Sequence, residues 1–418
     1  MPHFVINGRA RLKGEVRVSG SKNAATPILA ATLLTTEPCI IDNMPFIEDV
    51  QRMLDTLASM GSQIEWLGPS RVRITNKSID PAKLDFKLVS RLRSSILLLG
   101  PLLARFHSVK LSHPGGCLIG ARPVGVHFNA LEKLGADVRQ DENFYYLEAK
   151  KLEPAYIVLG EFSVTGTENA LMAASMLEGT TVIKIAAAEP HVEDLARFLI
   201  KMGVRIKGVG THTLEITGTK KLHGAKHTII PDPIEAGTFL IGAAATQGKV
   251  LVRGARREHL DLVTEKLEEF GAHIDFRKEG IYIESTKSLS AAKIEARPYP
   301  GVPTDLQSLF GVLATQAEGT SLIFDTLYES RLKYLDELNK MGANAAILDP
   351  HRAVVTGPTP LYGQGTVSFD LRTGAALSSA GALAQGQTLI QDAYQVDRGY
   401  ERIEQKLQGL GLDIQRVE

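Results

Sequence analysis

A helix that stops on glycine and passes at once into a strand recurs six times along this chain. That recurrence limits the fold more than any other feature. The copies read LASMGSQI (57–64), LEKLGADV (131–138), LIKMGVRI (199–206), LEEFGAHI (267–274), LNKMGANA (338–345) and LQGLGLDI (407–414). The pivotal glycines, Gly61, Gly135, Gly203, Gly271, Gly342 and Gly411, follow one another at intervals of roughly 70 residues. Glycine just past a helix end takes the left-handed conformation that closes the last turn without a side-chain penalty. Each copy therefore predicts an amphipathic helix, a sharp stop and a strand.

A second pattern keeps the same beat. Segments rich in Ala, Leu and Ser, such as SKNAATPILAATLL, RLRSSILLLGPLLA, TGTENALMAASML, DPIEAGTFLIGAAA, TDLQSLFGVLA and LRTGAALSSAGALA, carry almost no charge. A helix apolar on most faces is a buried helix. Each unit thus supplies one buried helix, one amphipathic helix and several short strands, an α/β architecture. Stacked solenoid repeats are shorter, roughly 20 to 45 residues, and would leave these buried helices uncovered. Three units closing round three buried helices make one compact domain, and six make two. The midpoint falls in LHGAKHTIIPDP (222–233), and the sixth unit lacks a first strand of its own. We therefore expect one domain over residues 22–229 and a second built from 1–21 plus 230–418, with an active site in the cleft between them.

Composition narrows the function. The 418 residues include 47 Lys+Arg and 47 Asp+Glu, so no bulk charge draws the chain to nucleic acid or an anionic membrane. The longest nearly apolar run, ILLLGPLLA (96–104), is far short of the roughly 20 residues that span a bilayer. The opening MPHFVINGRARLKG has no apolar signal core, and the two cysteines make no disulfide framework. A cytoplasmic protein with reduced thiols, and no nucleic-acid, membrane or obligate protein partner, is expected.

The polar residues that interrupt the apolar repeats are the candidates for chemistry. Cys117 lies in LSHPGGCLIGARPVGVH (111–127), among glycines that let a loop fold over a ligand. Arg122 and His113 or His127 would lower its thiol pKa; the other reading is a surface loop with an incidental cysteine. Cys39, in EPCIIDNMP, reads as a small buried hydrophobe. Lys22 and Asn23, in VSGSKNAATP, open a small-residue helix, either as an anion site or as an N-cap with a solvated lysine. Asp305, in YPGVPTDLQS, is either an N-cap carboxylate or a general base. Asp370 with Arg372, in FDLRTG, repeats that placement in the sixth unit, and Asp232 in the fourth. Arg331 (YESR) and Arg398 (VDRGYER) stand at matched points of the fifth and sixth units. Lys22, Arg93, Arg122, Arg331, Arg372 and Arg398 form a cationic set suited to a doubly anionic substrate. No metal-ligand spacing, dinucleotide fingerprint or G-x-S-x-G elbow occurs, so neither metal nor cofactor is expected.

On SGSKNAA, HPGGCLIGARPVGVH, PYPGVPTDLQ, FDLRTGAAL and VDRGYERIEQKL, the chain resembles the UDP-N-acetylglucosamine 1-carboxyvinyltransferases over essentially its whole length. The resemblance implies an enolpyruvyl transferase fold, a two-domain inside-out α/β barrel with three βαβαββ-like repeats per domain. It implies addition of phosphoenolpyruvate to the 3′-hydroxyl of UDP-N-acetylglucosamine and loss of phosphate, opening peptidoglycan precursor synthesis. Cell-wall biogenesis, cell shape, cell division, a cytoplasmic location and sensitivity to fosfomycin come with it. By matched motif, Cys117 would protonate the methylene carbon and Asp305 would be the base at the hydroxyl. Lys22, Arg122 and Arg398 would hold phosphate and carboxylate. Asn23, Arg93, Pro123, Val124, His127, Ser163, Val164 and Leu327 would lie near the nucleotide sugar, and Asp370, Arg331 and Arg372 would complete the site. Gly125, Thr165, Pro233 and Leu97 depart from the family pattern, chiefly on the nucleotide side. Rival readings are the sibling transferase acting on shikimate 3-phosphate, a non-catalytic nucleotide-sugar-binding paralogue, and an RNA 3′-phosphate cyclase. The cysteine loop argues against the first. The joint presence of Cys117, Asp305, Lys22, Arg122 and Arg398 argues against the second. The third needs a nucleotidylated histidine and a basic face, neither evident here.

Overall fold

A computed structural model describes residues 2–115, 123–285 and 288–418. The chain divides into two compact units, one holding the residues up to Ser19 together with Pro231–Glu418, the other formed by residues between Gly20 and Ile230. Among the described residues, no helix is long and apolar enough to cross a membrane.

The six pivotal glycines all take positive φ, from 91° at Gly411 to 109° at Gly203. A recurring pair of backbone bonds closes these helix ends. At the first, Gly61 N–H donates to Ala58 C=O at 2.9 Å and Ser62 N–H to Leu57 C=O at 3.1 Å. The pair recurs at Gly135, Gly203, Gly342 and Gly411. These bonds satisfy carbonyls that a helix otherwise leaves open at its C-terminus. Local glycine chemistry thus turns each amphipathic helix into the strand that follows it.

In the unit between Gly20 and Ile230, the buried helices are Lys22–Ala31, Leu99–Phe106 and Val164–Ala174. The segment RLRSSILLLGPLLA is not one helix: a 3₁₀ stretch, Arg93–Leu98, precedes the α-helix. Pro101 falls in the first α-helical turn, where its missing N–H costs nothing. The Gly100 N–H goes to Asn169 Oδ1 at 2.7 Å. A Cβ on Gly100 would stand 2.4 Å from the Asn169 carbonyl, so only glycine fits this approach. Three sheets surround these helices, and in one of them the short strand Lys226–Thr228 pairs in parallel with Cys39–Asp42.

In the other unit, Pro233–Ala245, Thr304–Ala314 and Leu371–Leu383 pack against one another. Every residue of Pro233–Ala245 is buried. Gly237 lets the first two helices approach closely, since a Cβ there would meet Leu306 Cδ1 at 2.4 Å. The N-terminal strand His3–Asn7 lies antiparallel between Gln387–Gln391 and Asp413–Val417. Lys13–Arg17 pairs in parallel with Lys249–Arg253. The chain start therefore completes two sheets whose other strands come more than two hundred residues later. The third sheet ends its strand Gly319–Asp325 on a fully buried carboxylate, Asp325. Mixed α/β units of this kind, each with three buried and three amphipathic helices, are the fold class the sequence predicted.

Candidate functional site

The candidate residues fall into two sets, one in each unit. In the unit containing Asp305, the helix Thr304–Ala314 has Pro303 as its N-cap, so Asp305 stands one residue inside the first turn. Asp232 and Asp370 do cap their helices: Asp232 Oδ1 accepts from Ile234 N–H at 2.7 Å, and Asp370 Oδ1 from Arg372 N–H at 2.7 Å. The matched carboxylates therefore do different work, and the N-cap reading of Asp305 gives way. Its Oδ2 accepts from Arg372 Nη2 at 2.8 Å and its Oδ1 pairs with Arg331 Nη2. Arg331 also faces Asp370, with Nη1 3.8 Å from Oδ1.

Both arginine side chains are almost wholly buried, 3% exposed for Arg372 and 8% for Arg331. Burial is the largest single influence and works against each charge, but the combined attraction of Asp305 with Asp370 at Arg331, and of Asp305 with Tyr400 and Asp232 at Arg372, raises both pKa values. Among the described residues, Arg372 Nε and Nη1, and Arg331 Nε, are buried with no hydrogen-bond partner. These guanidiniums carry donors beyond those that Asp305 uses. The Arg372 guanidinium lies 5.2 Å over the ring of Tyr400, whose hydroxyl meets Thr238 Oγ1 at 2.8 Å. Arg398 is buried, with Nη1 3.4 Å from Gln395 Oε1. Leu327 is exposed, and its N–H is held by Asp325.

In the other unit, Ser21 caps the helix that begins at Lys22, accepting from Ala24 N–H. Lys22 is not simply solvated: its ammonium pairs with the buried Asp49 carboxylate at 2.8 Å. Asn23, beside it, is partly exposed. Ser163 caps Val164–Ala174 through Gly166 N–H at 3.2 Å, which fixes Val164 at the helix start. Pro123 is exposed and Val124 partly so, directly before the helix Gly125–Lys133.

His127, on that helix, is 2% exposed. Asn169 Nδ2 meets its Nδ1 at 2.8 Å and Thr165 Oγ1 meets its Nε2 at 3.1 Å. The Asn169 amide orientation is set by Gly100 and by the Ile96 carbonyl, so Nδ1 accepts and the proton sits on Nε2. Burial, helped by the charge of Arg93, pushes the His127 pKa down to about 3. Burial thus favours a neutral imidazole at His127. His113 instead stacks on Tyr145, ring centroids 4.4 Å apart. Cys117 and Arg122 lie outside the described residues. Cys39 is fully buried, and burial raises its pKa to about 11, as a structural cysteine requires.

Two carboxylates escaped the sequence reading. Asp49 lies in the first turn of Glu48–Ser59, where an acidic residue reads as ordinary helix-end chemistry. Asp325 closes an otherwise apolar strand, SLIFD, and that abrupt charge was the available signal. Among the described residues, no group of three or more His, Cys, Asp and Glu side chains is arranged to hold a metal ion.

Residues 6–407 match the family model described as EPSP synthase (3-phosphoshikimate 1-carboxyvinyltransferase). The chain is 45% identical over 421 aligned residues to a UDP-N-acetylglucosamine 1-carboxyvinyltransferase of Koribacter versatilis, covering 100% of this chain and 97% of that protein. Its fold matches the enolpyruvyl transferase NikO from Streptomyces tendae, with TM-score 0.90 and 24% identity over 100% of this chain and 99% of that one. An EPSP synthase from Acinetobacter baumannii aligns over 100% of both chains with TM-score 0.74 and 21% identity. A family match over nearly all of the chain and a relative at 45% identity along its whole length lead to one conclusion: the chain belongs to the EPSP synthase family of carboxyvinyl transferases.

Proposed function

We propose that this chain transfers the enolpyruvyl group of phosphoenolpyruvate to the 3′-hydroxyl of UDP-N-acetylglucosamine and releases phosphate, the first committed step of peptidoglycan precursor synthesis. The observation that carries the choice of acceptor is the full-length relative named for that reaction at 45% identity. The enzyme would act in the cytoplasm on two small molecules, without a cofactor or an obligate protein partner. It would serve cell-wall biogenesis, cell shape and division, and it would be a fosfomycin target through Cys117.

The chemistry assigns a role to each candidate. Asp305 takes the proton of the 3′-hydroxyl as its oxygen bonds to C2 of phosphoenolpyruvate. Cys117 delivers a proton to C3, giving a tetrahedral adduct that keeps the phosphate. Loss of a proton from C3 and of phosphate from C2 then restores the double bond. Lys22, Arg122 and Arg398 hold phosphate and carboxylate, stabilising charge as the adduct forms and collapses. Arg331, Arg372 and Asp370 keep Asp305 in place. Asn23, Arg93, Pro123, Val124, Ser163, Val164 and Leu327 contact the nucleotide sugar, with His127 acting from behind them as a neutral imidazole that holds Thr165.

A second reading, transfer to shikimate 3-phosphate, has the description of the matched family model in its favour. The cysteine-bearing segment and the identity to the nucleotide-sugar enzyme weigh against it. Phosphate release from phosphoenolpyruvate tests both. Release only with UDP-N-acetylglucosamine, lost in Cys117→Ala, is the expected result. Release with shikimate 3-phosphate transfers the assignment to the second reading. Binding of the nucleotide sugar without release under any condition leaves a non-catalytic paralogue.

A further inference from the structure

Asp325 is fully buried at the end of Gly319–Asp325, and its carboxylate gathers three donors from two separate segments. Oδ1 accepts the N–H of Leu327 at 2.9 Å and of Tyr328 at 3.1 Å. Oδ2 accepts the hydroxyl of Thr304, the residue immediately before Asp305. The Asp325 backbone is tied as well. Its N–H donates to His351 C=O at 2.8 Å, and its carbonyl meets His351 Nδ1 at 2.7 Å. The Tyr328 ring in turn lies 5.7 Å below the Arg331 guanidinium, which pairs with Asp305. Asp325, Thr304, Asp305, Arg331 and Tyr328 thus form a closed circuit of contacts.

We infer that Asp325 is a positioning residue for the transferase reaction: one buried carboxylate sets the turn that carries Asp305 and the segment that carries Leu327 and Arg331. The inference rests on the function proposed above. Its physical basis is leverage. A carboxyl oxygen that accepts two backbone N–H groups holds their segment by directional bonds. Here the two segments share that one acceptor group, so a change at Thr304 or Asp325 moves the base relative to its guanidinium partner. Misplacement of a reacting group by a fraction of an ångström lowers rate more than affinity.

Thr304→Val removes the hydroxyl bond and keeps the side-chain shape; Asp325→Asn keeps the shape and removes the charge. Both are expected to lose kcat by on the order of tenfold to a hundredfold, with KM for phosphoenolpyruvate changed far less. Thr304→Ser, which keeps the hydroxyl, should recover most of the loss. A kcat within twofold of wild type in both folded variants overturns the inference. An equal loss in Thr304→Ser and Thr304→Val also overturns it. If the wild type proves inactive with every acceptor, the functional reading falls, and the positioning claim is decided separately by the Asp305 carboxyl ¹³C titration. A midpoint displaced in Thr304→Val relative to wild type supports the circuit, and an unchanged midpoint overturns it.

Discussion

Arg372 reaches Asp305 Oδ2 at 2.8 Å from a guanidinium that is almost completely buried, while Arg331 takes the other oxygen. The base proposed for the reaction is thus held from both sides before any substrate arrives. The fork of Arg372 also spans the Tyr400 ring, a geometry that a lysine ammonium lacks.

Replacing Arg372 separates these roles. Arg372→Lys keeps a positive charge and should stay folded, but it should lose kcat by on the order of a hundredfold because the planar donor set is gone. Arg372→Leu should also lower stability by about 2 kcal/mol, since it strips a partly buried carboxylate of one partner. Steady-state kinetics and urea unfolding check the two statements separately.

His127 makes stability depend on pH. Its folded pKa is pushed down to about 3, well below the usual histidine value of about 6.5 in an unfolded chain. Between those values the unfolded state binds a proton that the folded state refuses. Stability is therefore lost as pH falls below about 6.5, with a slope approaching about 1.4 kcal/mol per pH unit from this one group. Urea unfolding at pH 7, 5.5 and 4.5 should show wild type losing more than His127→Gln; parallel curves would disprove the assignment.

Cys39 should resist alkylation. Its thiol is fully buried and its pKa is raised to about 11 by burial. Iodoacetamide at pH 7.5 should leave Cys39 unmodified in the native protein and modify it in urea, as peptide mass spectrometry will report. On the proposed function, Cys117 is the thiol labelled first in the native state.

The same substitution should cost different amounts at different glycines. A Cβ on Gly411 meets nothing within 4 Å, so Gly411→Ala carries only the penalty of φ at 91°, about 1 kcal/mol. A Cβ on Gly237 would meet Leu306 Cδ1 at 2.4 Å inside a packed core, so Gly237→Ala should cost about 3 kcal/mol. Thermal unfolding of the two variants side by side tests the order.

What the sequence determined by itself is what near neighbours decide. Gly61, Gly135, Gly203, Gly271, Gly342 and Gly411 stop their helices because a positive φ and backbone bonds within six residues suffice. The uncharged helices announced their own burial for the same local reason, and their count and spacing gave the two-unit α/β plan. Tertiary structure decided the rest. Asp232, Asp305 and Asp370 look alike in sequence, yet two cap helices and one is paired by Arg331 and Arg372. The difference is a shift of two positions relative to the helix start together with partners 26 and 67 residues away. His127 was legible as a histidine, but its neutrality comes from desolvation by residues such as Asn169, distant in sequence. Asp49 and Asp325 drew no notice because a carboxylate gains its meaning from the donors that surround it, and only folding brings those donors together.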